Sequence, residues 1–494
     1  MPESLKNITC LFFFVALIPC IPGCRTESGG DLPESDRFPR ISPDYTDISI
    51  PYNIAPLNFV VKEKGSAYFV RISSENDTAI RLKSRKAAIR IPQGKWKKLL
   101  SANRGKQLNI EIYAKQKKYG WIKYKTVTNV ISSEAVDPFV TYRLILPGYE
   151  RWSDISIRQR DIRGFREWPL IKNSVADRNC VNCHSFNNGR TDDFLFHMRG
   201  SRAGTYFYSE GKLIKINLKT PEMKNGPVYP RWHPSGRFVA FSANNIVQQF
   251  HSANGNKVEV SDLESSLLLY DTGKNEIMPV DLPDRGKYMD TYPEWSPDGR
   301  MMYFCRTSRL EENYDYRHTR YDLYRVSFDP SSRRFGEPEL VINASEKAKS
   351  ISFPRISPDG RFLAMTYHDY GCFPVWHREA DLILLNLETL EIINPELNSD
   401  FPESYHSWSS NGRWLLFASR RDDGLATRPY LAYVGQDGKS GKAFIMPRRN
   451  PEHYNTFLKS YNLPEFSNLK ITMNPGRIRN VVTSGALQAE WGGK

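Results

Sequence analysis

Two cysteines three positions apart, with a histidine directly after the second, stand in Arg178-Asn179-Cys180-Val181-Asn182-Cys183-His184. This is the C-x-x-C-H spacing of covalent haem c attachment. Each sulfur could add to one porphyrin vinyl group, and His184 would then fall beneath the iron as proximal ligand. The vinyls sit on neighbouring pyrroles, so the chemistry needs both sulfurs along one edge of a tight two-residue turn. The same residues could instead form a disulfide, remain free thiols or hold another metal. Tetrahedral zinc would need further ligands, and no second C-x-x-C and no H-x-x-H occurs. A sixth iron ligand could come from His197 or Met198, 13 and 14 residues past His184. Strand alternation lets only one of them face the iron, and His197 is the expected one. The bland alternative puts Met198 in the core and His197 on a backbone carbonyl.

Other chemistry is poorly represented. The remaining histidines are scattered and read as structural. No G-x-S-x-G elbow and no phosphate-cradling G-x-x-x-x-G-K-[ST] occurs.

The compartment follows from the N-terminus. An apolar run from Ile8 to Ile21 is too short to span a bilayer and ends at Ile21-Pro22-Gly23-Cys24. A charged start, an apolar middle and a small residue at the cut have the shape of a secretory signal, residues 1–23. A cysteine directly after the small residue resembles the bacterial lipobox, which implies that Cys24 is lipidated and anchors a soluble body. An ordinary signal cleaved nearby is the alternative. Export permits disulfides and is also where c-type haem is attached. Cys305 and Cys372 lie in strand-like runs and are expected as buried thiols.

The elements that position the motif are strands. With 494 residues, 26 Tyr, 26 Phe and 10 Trp, the chain has material for several packed cores. Residues 24–47 are polar and read as a tether. Residues 48–135 alternate apolar with polar positions and predict a small β-sandwich. Its core would hold Leu108, Ile110 and Ile112 with Trp96 and Trp121. Residues 136–178 read as a connector delivering the chain to the motif.

Beyond the motif a repeat appears. Its copies are Tyr229-Pro230-Arg231-Trp232-His233-Pro234-Ser235-Gly236-Arg237, Tyr292-Pro293-Glu294-Trp295-Ser296-Pro297-Asp298-Gly299-Arg300, Phe353-Pro354-Arg355-Ile356-Ser357-Pro358-Asp359-Gly360-Arg361 and Tyr405-His406-Ser407-Trp408-Ser409-Ser410-Asn411-Gly412-Arg413. The glycines stand 63, 61 and 52 residues apart. Ser-Pro-Asp-Gly is a type I turn between antiparallel strands, and the preceding Trp is an apolar wedge between sheets. Such sheets cannot bury both faces alone, so the copies predict a β-propeller over 179–450. A weaker fifth copy, Ser185-Phe186-Asn187-Asn188-Gly189-Arg190, lies at the cysteine motif itself. Five blades are visible directly, and residues near 140–175 could close a sixth. Residues 451–494 read as a helix over 451–461, with Tyr454, Leu458 and Tyr461 on one face, and a basic tail.

The repeats are similar to those of the TolB-type propeller. With the lipobox and the Cys180–His184 motif, the chain resembles exported TolB-like lipoproteins of Bacteroidetes. That resemblance implies a membrane-anchored envelope protein on the outer membrane whose propeller face binds an envelope protein or glycan. With haem it would transfer electrons or sense redox state. Without haem it would be an interaction scaffold, and a hydrolase of envelope polymers is a third reading. The net charge of +14 implies polyanionic neighbours. The basic residues read as spread along the chain rather than clustered, which speaks against nucleic acid.

Overall fold

A computed structural model describes residues 33–493 apart from 77, 150–153, 253, 254, 285, 312 and 313. Cys24 and the signal segment lie outside the described residues. The expected all-β fold is present: six four-stranded blades in a ring, behind a small N-terminal β domain.

Blades 2 to 6 follow the repeat. Their innermost strands are Val181–Asn187, Pro227–Trp232, Tyr288–Trp295, Ser350–Ile356 and Glu403–Trp408. Each runs through the tight turn into the second strand of its blade. In blade 4, Gly299 N–H donates to Ser296 O at 2.9 Å, while Met301 N–H donates to Ser296 Oγ at 2.9 Å. Gly236, Gly299, Gly360 and Gly412 all have φ between 65° and 74°. Those angles are left-handed, where a Cβ is penalised, and they explain the invariant glycine of the four copies.

The wedge residue does two jobs. Trp232 Nε1–H donates to Ser185 O (3.2 Å), Trp295 to Arg231 O (3.3 Å) and Trp408 to Arg355 O (3.0 Å). Each indole thus fills the space between blades and satisfies a carbonyl of the preceding inner strand.

Blade 1 is the sixth blade expected from residues near 140–175, but its innermost strand was not foreseen. The stretch read as a connector carries Phe139–Ile145, Ser156–Asp161 and Glu167–Lys172. Its innermost strand is Ser460–Ser467, contributed from the far end of the chain. The predicted helix over 451–461 shrinks to His453–Thr456. Tyr461 is buried against Tyr142 by strand pairing rather than by helical periodicity. The inner strand Ser460–Ser467 lies between those of blades 6 and 2 and closes the ring.

The tail also departs from a loop. Asn474 caps the helix Pro475–Thr483, whose Ile478 and Val482 are buried beside the outer strand of blade 2. Leu487–Gln488 and Glu490–Trp491 then pair in parallel with the outer strands of blades 2 and 3. Two exposed edges are covered in this way.

The N-terminal domain has a seven-stranded and a three-stranded sheet. A helix, Gln93–Ala102, completes it and was not predicted. Trp96 lies on this helix and is fully buried with Leu108, Ile110 and Ile112, while Trp121 stays half-exposed on the outer sheet face. The described part of the predicted tether is not a tether. Glu34–Ser35 pairs with Gly120–Tyr124, Tyr45 is 1% exposed, and Arg37 and Arg40 hold Glu63.

Candidate functional site

Six inner strands line the central channel, and each carries a β-bulge at the same place. The bulge falls on Tyr229-Pro230, Tyr292-Pro293, Phe353-Pro354, Tyr405-His406 and Leu463-Pro464. In blade 2 it falls on Cys183-His184. The second half of the C-x-x-C-H motif is therefore the blade's own bulge dipeptide. Blade 6 supplies an internal copy: His184-Ser185-Phe186 matches His406-Ser407-Trp408 residue by residue.

The first bulge position forms a layer of rings. Tyr229 and Tyr292 lie 4.6 Å apart, Tyr292 and Phe353 4.5 Å, Phe353 and Tyr405 5.0 Å. These four residues have φ between 49° and 56°. A left-handed aromatic residue is strained, and the neighbouring blades hold it in place.

One step along each strand, the third position forms a second layer: Ser185, Arg231, Glu294, Arg355, Ser407 and Glu465. Arg231 lies 3.1 Å from Glu294 and 3.8 Å from Glu465, and Arg355 lies 3.4 Å from Glu294. Phe186 N–H donates to Glu465 Oε1 at 3.3 Å. Burial pushes both carboxyls up to about 7, Arg231 opposing it in each case. The side chains of Glu294 and Glu465 keep 14% and 17% exposure, so the channel wets one edge of each. Sequence reasoning missed this layer, although its signal was the alternation of Arg, Glu and Arg before the wedge residue in consecutive copies.

The raised carboxyls fix a sign. The folded value of Glu465 lies above its ordinary 4.5, so its contribution to stability is complete below about pH 4.5 and is lost as pH rises through about 7. Glu465→Gln keeps the shape and removes that loss. Its stability relative to wild type should grow by ~1–3 kcal/mol between pH 5 and pH 8, read from urea midpoints. A difference that is flat or shrinks with pH would contradict the assignment.

His184 packs inside this arrangement. Its ring is 5% exposed as a residue and neither nitrogen has a hydrogen-bond partner of normal geometry. Nε2 is 4.0 Å from Glu465 Oε2, and the Phe186 ring lies 6.0 Å away. Burial holds the imidazole neutral, down to about 3, with Arg143 and Arg231 adding repulsion. His406 is likewise buried, Nε2 lying 3.0 Å from Ala364 O.

These residues do not fit a covalently attached haem. Cys180 immediately precedes the strand, and Arg199 N–H donates to its carbonyl, so the chain is already extended there. Four extended residues place Cys180 roughly 12–13 Å from His184 along the strand, where the haem chemistry requires one compact turn. Both nitrogens of His184 are shut in between inner strands, with a carboxylate where an iron would have to stand. The side chain of Cys183 lies outside the described residues. His197 faces the next blade: Nδ1 is 2.9 Å from Thr205 Oγ1, and the ring lies 6.0 Å from Phe241. Met198 is 2% exposed in the core of blade 2. Among the described residues no group of three His, Cys, Asp or Glu side chains could hold a metal ion. Cys305 and Cys372 are buried free thiols, as expected.

Pockets lie at two places along the channel, and the charged layer, Arg231, Glu294, Arg355 and Glu465, lines one of about 310 Å³. A pocket of about 440 Å³ is lined by Arg143, Cys180, Asn182, His197, Tyr229, Asn244 and Tyr405, among others. The long hairpin of blade 3, Phe238–Phe250 and Val258–Asp271, forms part of its wall through Asn244, Ile246, Gln248 and Val260. That hairpin is pinned by Glu259, 3.0 Å from His377 Nε2 and 3.3 Å from the Tyr370 hydroxyl. The aromatic layer lines its floor through Tyr229 and Tyr405. His197 Nε2 is buried without a partner, and burial pulls the imidazole down to about 3, so the ring is neutral.

One buried pair has the spacing of a nucleophile and its base: Ser352 Oγ is 2.9 Å from His368 Nε2. Both side chains are fully buried, and His368 Nδ1 is 2.9 Å from the Tyr370 carbonyl rather than a carboxylate. This pair knits blade 5 together and gives hydrolysis no access.

No family model and no curated protein matches the chain. Solved structures do. TolB from Acinetobacter baumannii is similar at 14% identity and a TM-score of 0.43, covering 74% of this chain and 80% of that one. A hypothetical selenium-binding protein from Sulfolobus tokodaii is similar at 10% identity and a TM-score of 0.41, covering 84% and 96%. Hydrazine synthase from Kuenenia stuttgartiensis is similar at 13% identity and a TM-score of 0.29, covering 50% and 74%.

Proposed function

We propose that this protein is an interaction scaffold of the bacterial cell envelope, anchored through Cys24, whose propeller receives a segment of an envelope partner in the channel-mouth pocket. The carrying observation is that His184 and the Cys183 position serve the blade as its bulge, as Tyr405 and His406 do in blade 6. The pocket beside them offers about 440 Å³ and unused hydrogen-bonding capacity at Asn244 Oδ1 and His197 Nε2. Tyr229 and Tyr405 supply rigid apolar contact there. Asn182, Asn244 and the neutral His197 supply directional hydrogen bonds.

Two measurements test the reading. Protein made in an exporting, haem-competent host should show no thioether-haem band in a pyridine haemochrome spectrum, and its mass should report lipid alone. A photo-crosslinker at Gln248 should capture one envelope component, while the same group at Ile214 on the outside of blade 2 should not. A haem band, or equal capture from both positions, sinks the proposal.

His184→Pro distinguishes the two roles in one variant. Four of the other five blades carry proline at this position, so the backbone accepts it. The change removes a buried imidazole that has no hydrogen-bond partner, a group costing ~1–3 kcal/mol where unpaired. Melting should stay within about 5 °C of wild type. Unfolding of the variant would mean that His184 is bound to something.

A further inference from the structure

The excess charge is not spread along the chain. Residues 33–135 hold 20 Lys and Arg against nine Asp and Glu, a net +11 of the chain's +14. The N-terminal domain thus carries most of the excess positive charge, and the propeller is close to balanced.

One face of this domain is organised for more than charge. Strands Tyr68–Ser73, Ile80–Ser84, Gln107–Gln116 and Gly120–Tyr124 bury Val70, Ile72, Ile110 and Ile112 on one side. The other side is open. Across it Lys83 stands opposite Phe69, Phe69 opposite Tyr113, and Tyr113 opposite Lys123. The two lysines are therefore about 14 Å apart, with two rings between them. Those rings lie 5.3 Å apart, tilted 47° to one another, and are half-buried. Beside this row stand Arg81 opposite Arg71, and Lys115 opposite Trp121. Arg71 is paired with Glu111 at 2.6 Å and Lys123 with Glu34 at 2.7 Å. Arg81, Lys83 and Lys115 are exposed and have no ion pair among the described residues.

We infer that this open sheet face binds an acidic polysaccharide, its sugar faces lying on Phe69, Tyr113 and Trp121 and its anionic groups on Lys83, Arg81 and Lys115. Phe69, Tyr113 and Trp121 are each half-exposed on this face, and a sugar ring offers a flat apolar face to stack on such rings. A lipid surface would favour apolar side chains more exposed than the cations, and here the rings are half-buried while Arg81, Lys83 and Lys115 are exposed. The cations flank the platform on both sides, as a polymer with regularly spaced anions requires. This inference does not depend on the channel-mouth reading.

The test is affinity electrophoresis of the full chain in native gels containing alginate, a uronate polymer, or neutral dextran. Alginate should retard the protein and dextran should not. Phe69→Ala with Tyr113→Ala, and separately Arg81→Gln with Lys83→Gln, should each weaken alginate binding by about tenfold. The melting midpoint of each variant shows whether it is folded, and a Phe69→Leu variant replaces any that is not. Retardation that ignores loss of the rings, or that is stronger with single-stranded DNA or anionic vesicles than with alginate, overturns the inference.

Discussion

Arg231→Met should cost this protein about 3–5 kcal/mol of stability at pH 8. The guanidinium stands between Glu294 and Glu465 in the charged layer of the channel, at 3.1 Å and 3.8 Å. Glu294 retains Arg355 at 3.4 Å, but Glu465 is left with the Phe186 N–H at 3.3 Å and the neutral ring of His184, and no cation. An unpaired buried carboxylate is far more costly than the pair it came from is stabilising, because its desolvation is no longer offset. The deficit has a pH signature. Both carboxyls already titrate near 7, so they are neutral at pH 5 and the variant should recover much of its stability there. It also has a partner-specific rescue: Glu465→Gln in the Arg231→Met background should restore most of the loss at pH 8. A double-mutant cycle from urea denaturation measures the coupling. A loss below about 1 kcal/mol, or a double variant no better than the single, would show that the layer is wetter and weaker than its geometry implies.

That layer illustrates which parts of the molecule were legible in the sequence. Tyr-Pro-Arg-Trp and Ser-Pro-Asp-Gly were readable because each residue has a local physical role: a bulge, a wedge, a turn. The same local signals were present but incomplete at Leu463-Pro464-Glu465-Phe466. This is a sixth copy of the inner strand, and it lacks the turn because the chain leaves the ring there. Without the turn, the spacing of Tyr454, Leu458 and Tyr461 suggested a helix. Tyr454 and Tyr461 are instead buried by a single helical turn and a strand packed together, and Leu458 is exposed. The opposite error befell Gln93–Ala102. Trp96, Leu99 and Leu100 have helical spacing, but the surrounding strand pattern and lysines concealed it. The C-x-x-C-H spacing was the strongest chemical signal, and its place in the blade could not be read from it. Spacing alone does not reveal that Cys183-His184 occupies the register of Tyr405-His406. Only alignment of the blades brings the two histidines into equivalent places, and both then serve packing. The concentration of charge in residues 33–135 needed no structure at all, only a count made domain by domain.

Truncation after Pro451 should abolish cooperative folding of the ring. The innermost strand of blade 1, Ser460–Ser467, would be lost, and with it the pairing to Phe139–Ile145 from Ser460 to Ser467. Tyr461 and Phe466, 1% and 2% exposed, would leave holes in the largest core of the molecule. Large aromatic deletions from a core cost ~3–5 kcal/mol each, and the whole chain has only about 5–15 kcal/mol in hand. Three further hydrogen bonds would go at once: Arg428 donates to the carbonyls of Phe457 and Lys459 at 2.7 Å and 2.8 Å, and Thr427 Oγ1–H donates to Tyr461 O at 2.9 Å. The truncated chain would also expose the edge of Phe139–Ile145, a seven-residue strand buried along its whole length, as a template for aggregation. Expression of residues 1–451 should give insoluble or oligomeric material, and co-expression of residues 452–494 should restore a soluble monomer. The rescue separates loss of the closing strand from general damage to the chain end. A truncated protein that stays monomeric with an unchanged melting transition would mean that five complete blades and an open sixth are stable by themselves, and that the chain's two ends are joined for a reason other than closure.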